Sequence, residues 1–168
     1  MALPSFDATW PAFAYENEIE KLVHRFKFHS DLAAGRLLGK LLANRLRALG
    51  VERPDVMMPV PLHARRLLMR GFNQSALLCR DLAAELEGLP WVNGLKRIRD
   101  TATQIHLPAD RRAANVRGAF RLAHLPEATR TVALVDDVMT TGSTLNECAR
   151  VLRSAGVERV EVWVVARA

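Results

Sequence analysis

Residues 132–144, VALVDDVMTTGST, constrain this chain more than any other stretch. Four apolar residues run into two acids, and a loop of small hydroxylated residues around a single glycine follows. An apolar run without polar alternation suits a strand buried on both faces, as in a parallel sheet. Asp136 and Asp137 then fall at the carboxyl end of that strand, where open α/β sheets bind ligands. Residues 140–144 read as a turn entering a helix. Gly142 permits positive φ there, and Ser143 or Thr144 can cap a helix that continues through Leu145, Val151 and Leu152. The backbone N–H groups of such a turn form an anion cradle, reinforced by the helix dipole.

The acids and the cradle make chemical sense together. Carboxylates beside a phosphate cradle repel a bare phosphate. They suit a ligand that also offers donors, such as the two hydroxyls of a ribose. A diol on the acids and a 5′-phosphate on the loop describe a ribose 5-phosphate ligand, with a magnesium ion able to neutralise part of the acid charge. Competing motifs fit worse. A Walker phosphate loop needs Lys after its last Gly, and Ser143 follows Gly142. The dinucleotide fingerprint needs three glycines after a strand, and only one is present here. A receiver-type acid pair belongs near the start of a sheet, whereas only one more strand, residues 160–165, fits before this sequence ends. A plain buried strand with a capped helix accounts for Ser143 or Thr144, but gives no reason for two adjacent acids.

The rest of the chain alternates helices and strands, which argues for a mainly parallel α/β sheet with helices on both faces. Helical periods cover residues 16–28 (Ile19, Leu22, Val23, Phe26) and 31–49, with Asp31 as cap and Gly50 as stop. Residues 55–60 form a short strand, 63–71 a basic loop and 72–86 a third helix. An edge strand at 91–95, an irregular polar stretch at 96–107, a short helix near 111–115 and a strand at 118–122 precede the motif. With 168 residues the chain has room for one domain with a substantial core, and a single domain over residues 1–168 is expected.

The motif resembles the phosphoribosyl pyrophosphate (PRPP) binding motif of type I phosphoribosyltransferases. Two further segments, PVPLHARRLLMRGFNQS (59–75) and RIRDTATQIHLPADRRAANVRGAF (97–120), resemble the ComF family with it, in this order along the chain. The resemblance implies that Val135, Asp136, Asp137, Val138 and Met139 contact PRPP from the strand, and Thr140, Thr141, Gly142, Ser143 and Thr144 from the loop. Asp136 and Asp137 would be the catalytic pair. It places a pyrophosphate loop at Val60, Pro61, Leu62, His63, Ala64 and Arg65. A hood over the site falls at Arg97, Arg99, Thr101 and Gln104, with Arg111, Arg112, Arg117 and Asn115 nearby. Each assignment has a plainer counterpart: a structural His63, a solvated basic turn at Arg65 and Arg66, hood arginines paired with Asp100 and Asp110. Asn73 and Gln74 either contact substrate or cap the third helix, and capping is the better reading of Asn73.

The implied chemistry is displacement of magnesium pyrophosphate at the ribose anomeric carbon, within nucleoside metabolism. The implied cellular role is DNA uptake with competence proteins. Family members commonly carry an N-terminal zinc ribbon of four cysteines, which this sequence lacks. Its only cysteines, Cys79 and Cys148, sit among apolar helical neighbours, so buried free thiols are expected and zinc is not. Net charge +6 and a pI of about 10.1 fit phosphate-rich ligands, single-stranded DNA or merely a basic surface. Arg65, Arg66, Arg70, Arg97 and Arg99 are the candidate DNA contacts. Aromatic residues are only 6%, with Phe72 alone near a basic loop, so no stacking platform is evident. No apolar run reaches the ~18 residues of a membrane span, and the start has no secretory pattern, so a cytoplasmic place without membrane insertion is expected. A catalytically inactive nucleotide- or DNA-binding module remains the alternative to a transferase.

Overall fold

The computed structural model describes residues 3–100 and 114–168. Its centre is the strand read first in the sequence, β5 (Thr131–Met139). Along β5 the buried side chains go alternately to two cores. Val132 and Leu134 join one apolar cluster with Val160, Val162, Leu145 and Leu152. Ala133 and Val135 join the other with Leu38, Leu42, Leu78, Leu82 and Trp163. A strand apolar on both faces needs a helical layer on each side, and that is what the chain builds.

The sheet order is β1–β6–β5–β2, all parallel, from β1 (Ala8–Ala14), β2 (Val56–Pro59), β5 and β6 (Arg159–Arg167). Trp91 extends the β2 edge by a single parallel bridge to Met57. The helices α1 (Asn17–Phe28), α2 (Leu32–Ala48) and α4 (Gln74–Glu85) pack on one face. The other face is covered by α5 (Ser143–Ser154) and a small antiparallel pair, β3 (Leu95–Arg97) with β4 (Phe120–Leu122). The expected α/β architecture, parallel with helices on both faces, is the architecture found.

Several local expectations need correcting. The basic loop at 63–71 is largely a helix, α3 (Ala64–Arg70), closed by Gly71 in the left-handed conformation at φ 83°. None of its residues is buried, so it lacks the apolar stripe that would announce it. β1 was not anticipated, because Pro11 in its middle reads against a strand. The expected edge strand at 91–95 is reduced to the Trp91 bridge and to Leu95, the first residue of β3, which runs on into the stretch expected to be irregular. β5 continues through both acids to Met139 rather than ending at them. Cys79 and Cys148 are free and buried, and burial pushes both thiols well above their ordinary range. No helix among the described residues is long and apolar enough to cross a membrane.

Candidate ligand site at the carboxyl ends of the strands

Three chain segments meet where β2 and β5 end. The first is the stretch after β2. Val60 still pairs with β5, its amide donating to Val135 O at 3.0 Å. Its carbonyl accepts from Asn73 Nδ2 at 3.1 Å. Asn73 also caps α4, its Oδ1 accepting from Ser75 N at 2.9 Å, so capping is the role the geometry gives it. Gln74 is buried and accepts from Arg70 Nη1 at 2.5 Å. His63 heads α3, its Nδ1 accepting from Arg65 N at 3.4 Å, and its backbone bridges to Arg97. Arg65 and His63 both lie near Asp100, at 3.6 and 3.7 Å. The stretch 60–65 is therefore tied to β5, α4 and β3 at once.

The second segment is the acid pair. Asp136 is half-buried, and its Oδ1 accepts from Ser75 Oγ at 2.9 Å and from the Asp137 amide at 2.9 Å. Asp137 is buried, its Oδ1 accepting from Val138 N at 2.6 Å and paired with Lys27 Nζ at 2.9 Å. Its other oxygen, Oδ2, is buried and has no hydrogen-bond partner. Burial, and then the Asp137 charge, push the Asp136 carboxyl up to about 7. Burial pulls the Lys27 ammonium down, but the Asp137 and Asp136 carboxylates outweigh it and hold Lys27 above its usual value.

The third segment is the loop 140–144. Gly142 has φ 75° and serves as the N-cap of α5. This corrects the expectation of a Ser143 or Thr144 cap: no side chain caps α5 from the Gly142 position. The Thr141 and Ser143 hydroxyls are 2.9 Å apart and share a hydrogen bond. A Cβ on Gly142 would lie 2.6 Å from Met139 Cε, so the buried Met139 floors the loop. A left-handed residue leading into a helix aims successive amides at one point, the geometry of an anion nest.

The site residues named in the sequence are thus distributed unevenly. Those on β5, the 140–144 loop and the 60–65 stretch converge. Arg97 is half-buried with its guanidinium 5.3 Å from the Phe120 ring centroid. Arg99 is exposed and donates to Arg117 O at 2.6 Å. Thr101, Gln104, Arg111 and Arg112 lie outside the described residues, as does most of the short helix expected near 111–115. Two participants were missed. Lys27 reaches Asp137 from α1, and Ser75 reaches Asp136 from α4. A signal for Lys27 existed: it stands four residues after Val23, a fully buried position, and so rides the inward edge of its helix.

Residues 73–168 match the family described as the phosphoribosyl transferase domain. The chain is 40% identical over 172 residues to competence protein F of Haemophilus influenzae, covering 98% of this chain and 75% of that protein. This chain belongs to the ComF family. Its ComF relatives also include the DNA utilization protein YhgH of Salmonella typhimurium, 44% identical over 158 residues (91% of this chain, 69% of that protein). More remotely, competence protein ComFC of Streptococcus pneumoniae is 23% identical over 155 residues (92% of this chain, 66% of that protein). The match to the transferase domain begins at Asn73, so it takes in α4, both acids and the 140–144 loop, but not Lys27.

Proposed function

We propose that this chain binds PRPP or ribose 5-phosphate ligands at the ends of β2 and β5, and transfers the phosphoribosyl group to a small nucleophile. The observation that carries the reading is the juxtaposition of a carboxylate oxygen without a partner, Asp137 Oδ2, with the left-handed Gly142 turn on the same strand end. A buried acceptor of this kind calls for a donor from a ligand. A ribose diol supplies two O–H donors, and its 5′-phosphate fits the nest. Asp136 and Asp137 orient the hydroxyls. They also stabilise the positive charge that develops on the ribose ring as pyrophosphate leaves. The stretch at 60–65, with His63 and Arg65, receives the pyrophosphate through charge-assisted hydrogen bonds.

Among the described residues no group of three or more His, Cys, Asp or Glu could hold a metal ion. Two carboxylates are too few to cage magnesium. They fit an ion that arrives on the ligand's phosphates and keeps its waters, with Asp136 and Asp137 accepting hydrogen bonds around it. Such an ion supplies charge neutralisation to the leaving pyrophosphate. The test is calorimetry with PRPP and magnesium, then a screen of bases for pyrophosphate release. Binding without release identifies a nucleotide-binding module of the same fold; absence of binding refutes the reading.

A second role has its own support. The competence and DNA utilization names of the relatives point to handling of DNA, and in this chain the exposed Arg65 stands on α3 beside Arg66. We propose that this face binds single-stranded DNA weakly, and that the cellular context is DNA uptake alongside competence proteins. Arg65, whose side chain is 75% exposed even beside Asp100, makes α3 the principal contact, while Arg97 lies over Phe120 and Arg99 donates to Arg117 O.

A further inference from the structure

Lys27 belongs to none of the segments that carry the phosphoribosyl motif, yet its ammonium lies 2.9 Å from Asp137 Oδ1. Neither member is a surface group: the Lys27 side chain is 22% exposed and that of Asp137 3%. The lysine is held there by its helix. Val23 and Phe26 are packed in the core, so the last turn of α1 lays Lys27 along the sheet and not into solvent. Arg70 approaches from α3, where it stacks on the Phe28 ring at 5.7 Å and feels the charge of both acids. On the acids, Oδ1 of Asp136 is taken by Ser75 and by the backbone, while Oδ2 of Asp137 is left for a donor.

Two adjacent ionised carboxylates in a half-buried site need positive charge nearby, or one of them takes up a proton. In a site without an internal cation, that charge comes from a metal ion or is avoided by a proton on one acid. Here an ammonium is already in place, and it occupies an oxygen that a metal would have to win. Magnesium is a poor competitor for it, because it gives up its waters reluctantly and demands a near-octahedral oxygen shell.

We infer that Lys27 is the internal counter-ion of the acid pair, so that a ribose 5-phosphate monoester binds this site without divalent metal. The inference rests on the ribose-phosphate reading of the site and refines it. Metal dependence then belongs to the pyrophosphate of PRPP and not to the sugar. Lys27 is a positioning residue: it holds Asp137 charged and fixes the carboxylate through Oδ1.

The test is calorimetric titration of the full chain with ribose 5-phosphate, in EDTA and in magnesium. For the wild type we expect the same affinity in both. Lys27→Met should weaken binding in EDTA about 10- to 150-fold, the loss expected for one charge-supported hydrogen bond. Magnesium should restore part of that loss only in this variant, and Lys27→Arg should keep most of the metal-free affinity. Unchanged binding of inorganic phosphate by Lys27→Met verifies that its loop and fold are intact. Wild-type binding that disappears in EDTA, or a Lys27→Met variant that binds like wild type, overturns the inference and leaves the ribose-phosphate site standing. Failure of wild type to bind ribose 5-phosphate under either condition overturns both.

Discussion

Replacing Gly142 with valine tests the phosphate nest in two separable ways. The backbone there has φ 75°, a conformation that costs an L-residue roughly 1–2 kcal/mol and is a marked outlier for a β-branched one. The new Cβ would stand 2.6 Å from Met139 Cε, but that methyl ends an unbranched chain and can swing aside at small cost. Together these come to about 2 kcal/mol. For a chain of this length each kcal/mol lowers the melting temperature by about 2–4 °C, so the valine variant should melt about 4–8 °C below wild type yet remain folded at 25 °C. Its effect on ligand should be far larger. The branched side chain fills the space a phosphate needs, and losing two charge-assisted bonds of about 1.5–3 kcal/mol each weakens binding at least about 100-fold. Gly142→Ala carries the same backbone strain with less bulk, so it should lose similar stability and less affinity. Thermal melts and phosphate or PRPP calorimetry on the three proteins decide the matter. A valine variant that melts lower but binds as wild type would show that Gly142 answers only to the chain and that the loop is not a cradle.

Asp136→Asn combined with Asp137→Asn should leave the fold intact and weaken ribose 5-phosphate by about 1.5–3 kcal/mol for each acid, read by calorimetry; equal affinity would make the acids structural. Asp136 also predicts a pH dependence. Its carboxyl is raised to about 7 in the folded chain, by burial first and by Asp137 second, while an unfolded aspartate loses its proton near 4. The folded state therefore binds the extra proton in that window, and stability should fall as pH rises from about 4 to about 7. Melts across this range should show Asp136→Asn gaining on wild type with rising pH; parallel curves contradict the shift. For single-stranded DNA, log affinity should fall with log salt at about −0.7 per phosphate contact, and Arg65→Ala with Arg66→Ala should flatten that slope by one or two contacts. PRPP should compete with the DNA, and binding indifferent to both salt and PRPP would remove the nucleic-acid role.

The parts of this structure that were legible in the sequence are those set by local pattern. The β5 run and the period of α2 declare which faces they bury, and Asp31 and Asn73 declare helix starts, each accepting from a backbone amide within its own helix's first residues. What stayed hidden depends on distant partners. Ser75 and Asp136 are 61 residues apart, and nothing in either neighbourhood names the other. Lys27 needed both its helix and the strand to be placed before its role emerged. α3 escaped because Leu67, Leu68 and Met69 are 42%, 86% and 80% exposed, so its apolar residues mark no inward face. β1 escaped because Pro11 removes a ladder donor, and only pairing along β6 makes the segment a strand.

The start of α4 holds both halves of the candidate site by two residues of a single turn. Asn73 grips the Val60 carbonyl, and Ser75, two residues on, grips Asp136. A ligand fragment that shifts the stretch after β2 therefore pulls on the same helical turn that positions the acid. Groups that share a support in this way are energetically coupled. Pyrophosphate and ribose 5-phosphate, measured separately, will each include the work of setting that turn, whereas PRPP does that work once. Its binding free energy will depart from the sum of its fragments, and the size of the departure measures how stiffly α4 joins them.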